Sequence, residues 1–250
     1  MVKENDMLRF EEAKQKVIGI DRQRLQIGTL SEKTVHAVLK NYYEPDEDKQ
    51  EIPIEGLYAD IFTGTDIIEI QTRNFDKVRE KLRRFLPLYP VTVVYPIPAK
   101  KWMIWIDEET GELSQKRKSP KKGTPYDAFR ELYKIKMYLK DKNLRICLVL
   151  MDMEEYRTLN GWSYDKKRGS TRYDRIPMQI TKEIMLECGK DYMQLIPPEL
   201  LEPFTSAEFA KEAHIPKKQA GLVLNILDYL NIVIRVGKKG NSFLYETDKF

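Results

Sequence analysis

YADIFTGTDIIEIQTRNFDKVREKLRRFLPLYPVTVVYPIP, residues 58–98, is the stretch that decides the fold. It opens with a strand-like run, YADIF, turns at Gly64-Thr65, and returns as DIIEIQT. NFDKVREKLRRFL then repeats apolar residues at Phe75, Val78, Leu82 and Phe85, which predicts a helix with a strongly basic outer face. PVTVVYPIP is apolar and rich in β-branched residues, the pattern of a strand covered on both faces. Upstream, EIPIEG is a third short strand. Before it, SEKTVHAVLKNYY has Ser31 as its cap and Val35, Val38, Leu39 and Tyr42 at helical spacing. Helix, three meandering strands, helix and buried strand predict an α/β core with a mixed sheet.

Outward from this core the pattern is less regular. An amphipathic helix is expected near Leu8 to Ile18, inside an N-terminal extension over 1–30. Downstream, WMIWID and ELSQKRK predict a hairpin turning at Glu109-Thr110-Gly111. PYDAFRELYKIKMYL reads as a helix and LRICLVLMD as another buried strand. Residues 157–175 read as a long polar loop and IPMQITKEIMLECG as a further helix. Pro197, Pro198 and Pro203 then mark a boundary, dividing a main domain over 31–196 from a small one over 197–250. In the small one, TSAEFAKEAHI carries a capping signature completed by Glu208. A turn with Pro216 leads to the helix KKQAGLVLNILDYL, and VIRVGKKGNSFLYET gives a two-stranded ribbon with a basic tip.

Composition narrows the chemistry. Among 250 residues, 42% are hydrophobic and 33% charged, which supports a buried core under a heavily ionised surface and excludes disordered or collagen-like chains. The net charge of +4 is too small to name a partner. Cys147 and Cys188 are too few for a disulfide scaffold, and both read as small core residues. With His36 and His214 as the two histidines, a metal here has to be held by carboxylates, which points to Mg²⁺ or Mn²⁺. The N-terminus is charged from its third residue and no uncharged apolar stretch is long enough to span a bilayer, so no secretory leader and no membrane partner are expected, and the location is expected to be cytoplasmic.

Asp60 and Glu69 are the residues that invite chemistry. Period-2 geometry puts Glu69 and Gln71 on one face of their strand, and the short turn lets Asp60 stand beside Glu69 on the neighbouring one. Two close carboxylates among isoleucines are costly unless a cation sits between them. A divalent ion there activates water for phosphoryl displacement. The alternative is two ordinary polar residues on a solvated sheet face.

The element order, with Asp60, then Glu69-Ile70-Gln71 after a gap of eight residues, resembles the PD-(D/E)XK, or restriction-endonuclease-like, nuclease superfamily over Ser31 to Pro98. The resemblance implies an αβββαβ core in which Asp60 and Glu69 bind Mg²⁺ or Mn²⁺ and Glu32 on the first helix completes the acidic shell. His36 lies one turn further along that helix. Gln71 departs from the family, standing where E-x-K has its lysine. Some members supply that cation from the following helix, which makes Lys81 the best-placed substitute, ahead of Lys77 and Arg73. Loss of the motif lysine equally fits a catalytically inactive DNA-binding or assembly protein on the same fold.

Basic segments point to DNA as the partner. KRKSPKK contributes Lys116, Arg117, Lys118, Lys121 and Lys122, and KKRGSTRYDR begins with Lys166, Lys167 and Arg168. In predicted loops these side chains can follow phosphates. The C-terminal segment resembles a winged helix-turn-helix domain. That resemblance implies DNA contact by Lys217 and Lys218 at the start of the second helix and by Lys238 and Lys239 at the tip of the wing. A homodimer is plausible on this reading, since cutting both strands takes two sites.

Overall fold

A computed structural model of the chain describes residues 4–21, 34–158 and 169–248. Two helices, α1 (Glu4–Asp21) and α2 (Thr34–Tyr43), precede three short strands, β1 (Gln50–Ile54), β2 (Leu57–Phe62) and β3 (Ile67–Ile70). Between β2 and β3 the chain reverses over Thr63–Asp66, where the Thr63 N–H donates to the Asp66 carbonyl at 3.0 Å. Gly64 takes φ +98° in that turn, a left-handed conformation that side chains disfavour. After β3 come α3 (Arg79–Phe85) and β4 (Val91–Ile106), then a two-residue β5 (Arg117–Lys118). A helical segment containing α4 (Phe129–Leu132) leads to β6 (Leu144–Thr158) and β7 (Thr171–Leu186).

Among the described residues these strands form one mixed sheet in the order β1-β2-β3-β4-β6-β7, with β5 on β4. β1 to β3 are an antiparallel meander, β3, β4 and β6 run parallel, and β7 returns antiparallel to β6. Helices cover both faces, so the chain is mixed α/β. On one face Val35, Val38, Leu39 and Tyr42 of α2 pack with Phe10 against Ile61, Ile70, Val94 and Val149. On the other, Val78, Leu82 and Phe85 pack with Phe129 and Leu132 against Ile67, Val91, Val93, Ile146 and Leu148. Each fully buried side chain of this size contributes roughly 1.5–3 kcal/mol of transfer free energy. This explains why β4 and β6 carry unbroken apolar runs.

The C-terminal unit follows its expected order: α5 (Ser206–Glu212), α6 (Lys217–Tyr229), then the antiparallel ribbon β8 (Val233–Lys239) and β9 (Ser242–Thr247). Thr205 and Glu208 form a reciprocal cap on α5, with the Thr205 N–H donating to Glu208 Oε2 at 2.7 Å. The unit is seated on the helical segment before β6. Phe209 meets the Tyr126 ring edge-on at 6.0 Å, Lys136 donates to Asn225 at 2.8 Å, and Gln219 donates to Asp127 at 3.1 Å. One apolar cluster runs without a break from α3 through Phe204 to Leu227.

Several expectations are corrected. Residues 176–189 are not a helix, because β7 occupies Thr171–Leu186, and 157–175 are not one long loop, because β6 and β7 reach into them from both sides. WMIWID is the continuation of PVTVVYPIP in one 16-residue strand, and its hairpin partner is reduced to Arg117–Lys118. PYDAFRELYKIKMYL is broken into short turns, with Ile135 out of helical conformation at φ −111°. Cys147 is buried as expected, whereas Cys188 is exposed. No helix of the described residues is long and apolar enough to cross a membrane.

A carboxylate–lysine centre as candidate active site

The ladder between β2 and β3 is short, pairing Phe62 with Ile67 and Ile61 with Ile68, and it ends there. At the next step side chains replace backbone pairing. Asp60 Oδ2 accepts from the Ile70 N–H at 2.7 Å, and Glu69 Oε1 accepts from the Asp60 N–H at 3.3 Å. The two strands are thus held apart by the carboxylates themselves, and both acids are fixed by main-chain donors. Asp60 sits in the fork rather than as a simple cross-strand neighbour of Glu69.

Helices on the two sides of the sheet close the centre. From α2, His36 Nε2 lies 3.2 Å from Asp60 Oδ2. From α3, Lys81 donates to Glu69 Oε2 at 2.7 Å and to Asp60 Oδ1 at 3.4 Å. Lys81 reaches the fork because Val78 and Leu82, its neighbours on the helix, are fully buried against the sheet. Glu69 is fully buried and Asp60 nearly so.

Burial and its partners act differently on each group. Burial pushes the Glu69 carboxyl up, the nearby Asp60 charge adds to this, and Lys81 offsets only part, leaving it at about 8. Burial also works to raise Asp60, but the His36 hydrogen bond, the Lys81 charge and the Ile70 N–H outweigh it and hold the group below its ordinary value. For Lys81, desolvation is overcome by the two carboxylates, so its ammonium is held more firmly than usual. One ammonium therefore serves two carboxyls, and one of these holds its proton near neutral pH.

The donor set is of hard oxygen type. Among the described residues no three His, Cys, Asp or Glu side chains group to hold a metal by themselves. Two carboxylates flanking one position suit Mg²⁺ or Mn²⁺, which complete their shells with water and substrate oxygens. The spot between them is already matched to positive charge by the Lys81 ammonium.

The sequence-predicted residues fall into three groups. Asp60, Glu69, Lys81 and His36 are brought together. Gln71 lies one residue past β3, half-buried, with its N–H donating to the Val94 carbonyl at 2.9 Å, and its side chain has no hydrogen bond among the described residues. Glu32, Lys166, Lys167 and Arg168 lie outside the described residues.

The basic segment 116–122 is not simply a loop. Arg117 and Lys118 belong to β5 on the sheet edge, and Lys116 is tied to Glu154 at 2.5 Å and stacked over Trp102 at 5.0 Å. Lys121 and Lys122 are exposed in the connection that follows. Lys217 and Lys218 are exposed at the start of α6. Lys238 and Lys239 are exposed on the ribbon, with Lys239 3.4 Å from Glu208 and Lys238 over Phe243.

A family described as a domain of unknown function (DUF8091) matches residues 33–187, more than half of the chain. The chain belongs to the DUF8091 family. The matched span starts at the foot of α2 and ends with β7, so it takes in the carboxylate–lysine centre and leaves out the C-terminal unit. An uncharacterised protein of Treponema pallidum (strain Nichols) is 29% identical over 170 residues, which is 67% of this chain. The chain spans 64% of that relative's length. No solved structure matches.

The sequence offers Arg73 only as a substitute cation and Arg172 and Arg175 only as part of the basic stretch KKRGSTRYDR; that these three come together with Arg157 in one cluster is not legible there. Arg172 and Arg175 lie three apart in what reads as a polar loop, of which Arg157 is the first residue. Only the long extensions of β6 and β7 bring them together.

Proposed function

We propose that this protein is a metal-dependent nuclease acting on DNA, with a restriction-endonuclease-like core and a C-terminal winged-helix unit. The observation that carries the reading is the reach of Lys81 from α3 to both Asp60 and Glu69, at the fork of β2 and β3. A lysine from the following helix thereby stands in for the one missing from the Glu69-Ile70-Gln71 motif. The strand order and the parallel step from β3 to β4 across α3 support the same reading.

Asp60 and Glu69 are the residues to hold Mg²⁺ or Mn²⁺, which when bound supplies Lewis acidity and a water of lowered pKa. His36 and the Ile70 N–H fix Asp60 in one orientation. Lys81 presents the positive charge that orients a phosphodiester and offsets charge developing on its oxygens, a task for which neutral Gln71 is unsuited. The exposed lysines of α6 and of the ribbon tip are the groups to follow the DNA backbone. A second reading is a DNA-binding or assembly protein that does not cut. It is favoured by the way Lys81 satisfies both carboxylates without any further ligand.

Cleavage of an end-labelled duplex in Mg²⁺ or Mn²⁺ tests the proposal. Wild type should cut and EDTA should stop it. Asp60→Asn should lower the rate at least about 100-fold, and Lys81→Met by about 10- to 100-fold, with duplex affinity retained in both. A wild type that binds duplex and cuts nothing in either metal fits the second reading. Undiminished cutting by Asp60→Asn removes the site.

A further inference from the structure

Next to the carboxylate–lysine centre, and sharing none of its residues, lies a pocket of opposite charge. Arg73, just after β3, and Arg172 and Arg175 of β7 line it, over apolar walls from Val35, Pro96 and Met153. Val35 adjoins His36 on α2, and Arg73 is four residues beyond Glu69, so the pocket and the centre draw on the same two segments of chain.

One of its arginines, Arg175, is anchored by a buried acid behind the lining, Glu155. Glu155 accepts from Arg175 Nε at 2.9 Å, Lys101 at 3.1 Å and Arg157 Nη1 at 3.1 Å. Arg157 also donates through Nε and Nη2 to Ser170, at 3.1 and 2.9 Å, so its guanidinium is fully engaged. Arg175 gives only Nε to Glu155, and among the described residues its Nη groups have no acceptor. Arg73 and Arg172 have no carboxylate within ion-pair distance among the described residues. Arg172 is partly desolvated and faces Arg175, Arg73 and Arg157, which hold its pKa below the ordinary value against the pull of Glu155. Asp174 is the one acid among the pocket's lining residues, and it accepts a hydrogen bond from the Thr34 hydroxyl. Glu155 is shared by Arg175, Lys101 and Arg157 and does not line the pocket, so among the lining residues three arginines stand against the single carboxylate of Asp174.

We infer that Arg73, Arg172 and Arg175 form a recognition pocket for a phosphate monoester dianion. Converging guanidinium forks match the oxygens of a phosphoryl group, and two charges on the ligand balance the surplus of two on the pocket. The ligand is either free phosphate or the phosphorylated end of a nucleotide or nucleic acid strand. Glu155 is a positioning residue, holding Arg175 so that its free edge faces the pocket. The inference does not depend on cleavage, because binding of a phosphate can be measured on a chain that cuts nothing.

The experiment uses the full chain and inorganic phosphate, with calorimetry and thermal melting read against sodium chloride of equal ionic strength. Phosphate should bind and raise the melting temperature, and Arg172→Gln and Arg73→Gln should each weaken it about tenfold or more. Arg172→Lys, which keeps the charge and loses the fork, should restore only part. Lys211→Gln, which removes one exposed charge elsewhere, should change nothing. A 5′-phosphorylated oligonucleotide that displaces phosphate, where its 5′-hydroxyl counterpart does not, assigns the pocket to a strand end. Displacement by neither assigns it to the free ion. Absence of phosphate binding, binding as tight as wild type in both arginine-to-glutamine variants, or displacement by both oligonucleotides alike overturns the inference.

Discussion

Glu69 and Glu155 are both buried glutamates held by cations, yet they are driven in opposite directions. Glu69 is pushed from 4.5 up to about 8, and Glu155, though burial works to raise it too, is held at about 2 by Arg175 and Lys101. The difference is one of local charge. Glu155 takes three cations for itself, whereas Glu69 shares Lys81 with Asp60. Burial sets the stake and the ratio of cations to acids decides the outcome. A short-handed carboxylate cluster is prepared to gain a cation, and an over-supplied guanidinium cluster is prepared to gain an anion. α2 and the chain at the end of β3 contribute residues to both, His36 and Glu69 to the first and Val35 and Arg73 to the second.

The largest effect should come from removing the acid that organises the cations. Glu155→Gln leaves Lys101, Arg157 and Arg175 crowded without their shared counter-charge, and should cost on the order of 3–5 kcal/mol in urea unfolding. A loss below about 1 kcal/mol would mean that the arginines do not rely on Glu155.

A smaller effect separates the two glutamates by pH. Between pH 4.5 and 8 the Glu69 carboxyl keeps its proton in the folded chain and loses it in the unfolded one. The unfolded state then binds fewer protons, so this group's stabilisation is present at acid pH and is lost as pH rises towards 8. Glu155 behaves in the opposite sense. Its contribution is present above 4.5 and is lost as pH falls towards 2. Glu69→Gln should therefore flatten the fall in stability between pH 5 and 8, by on the order of 3 kcal/mol across the interval. Parallel wild-type and variant profiles would show that Glu69 is ionised throughout.

How far the sequence exposes these sites follows from their geometry. Residues 58–98 were readable because each element is short, its apolar period is clean, and its partners are close in the chain. Lys81 could be singled out because Val78, Leu82 and Phe85 fix which way the helix turns. β7 misleads because Ile176, Ile180 and Ile184 repeat every four residues, a helical spacing. A repeat of four would keep these side chains on one face of a regular strand, but β7 slips register against β6 between Leu150 and Met151, and again between Asp152 and Met153, so Ile180 and Ile184 pack on opposite faces of the sheet. The arginine pocket was illegible for the same reason. Arg73 and Arg172 are about a hundred residues apart, and only the misread strand brings them together.

Anomalous scattering from crystals grown with Mn²⁺ tests the central claim most directly. The account predicts a peak between the carboxylates of Asp60 and Glu69, with the Lys81 ammonium turned aside from its 2.7 Å contact with Glu69, and no peak in crystals of Asp60→Asn. Lys81 unmoved between the two acids at saturating Mn²⁺, with no peak beside it, would contradict the claim.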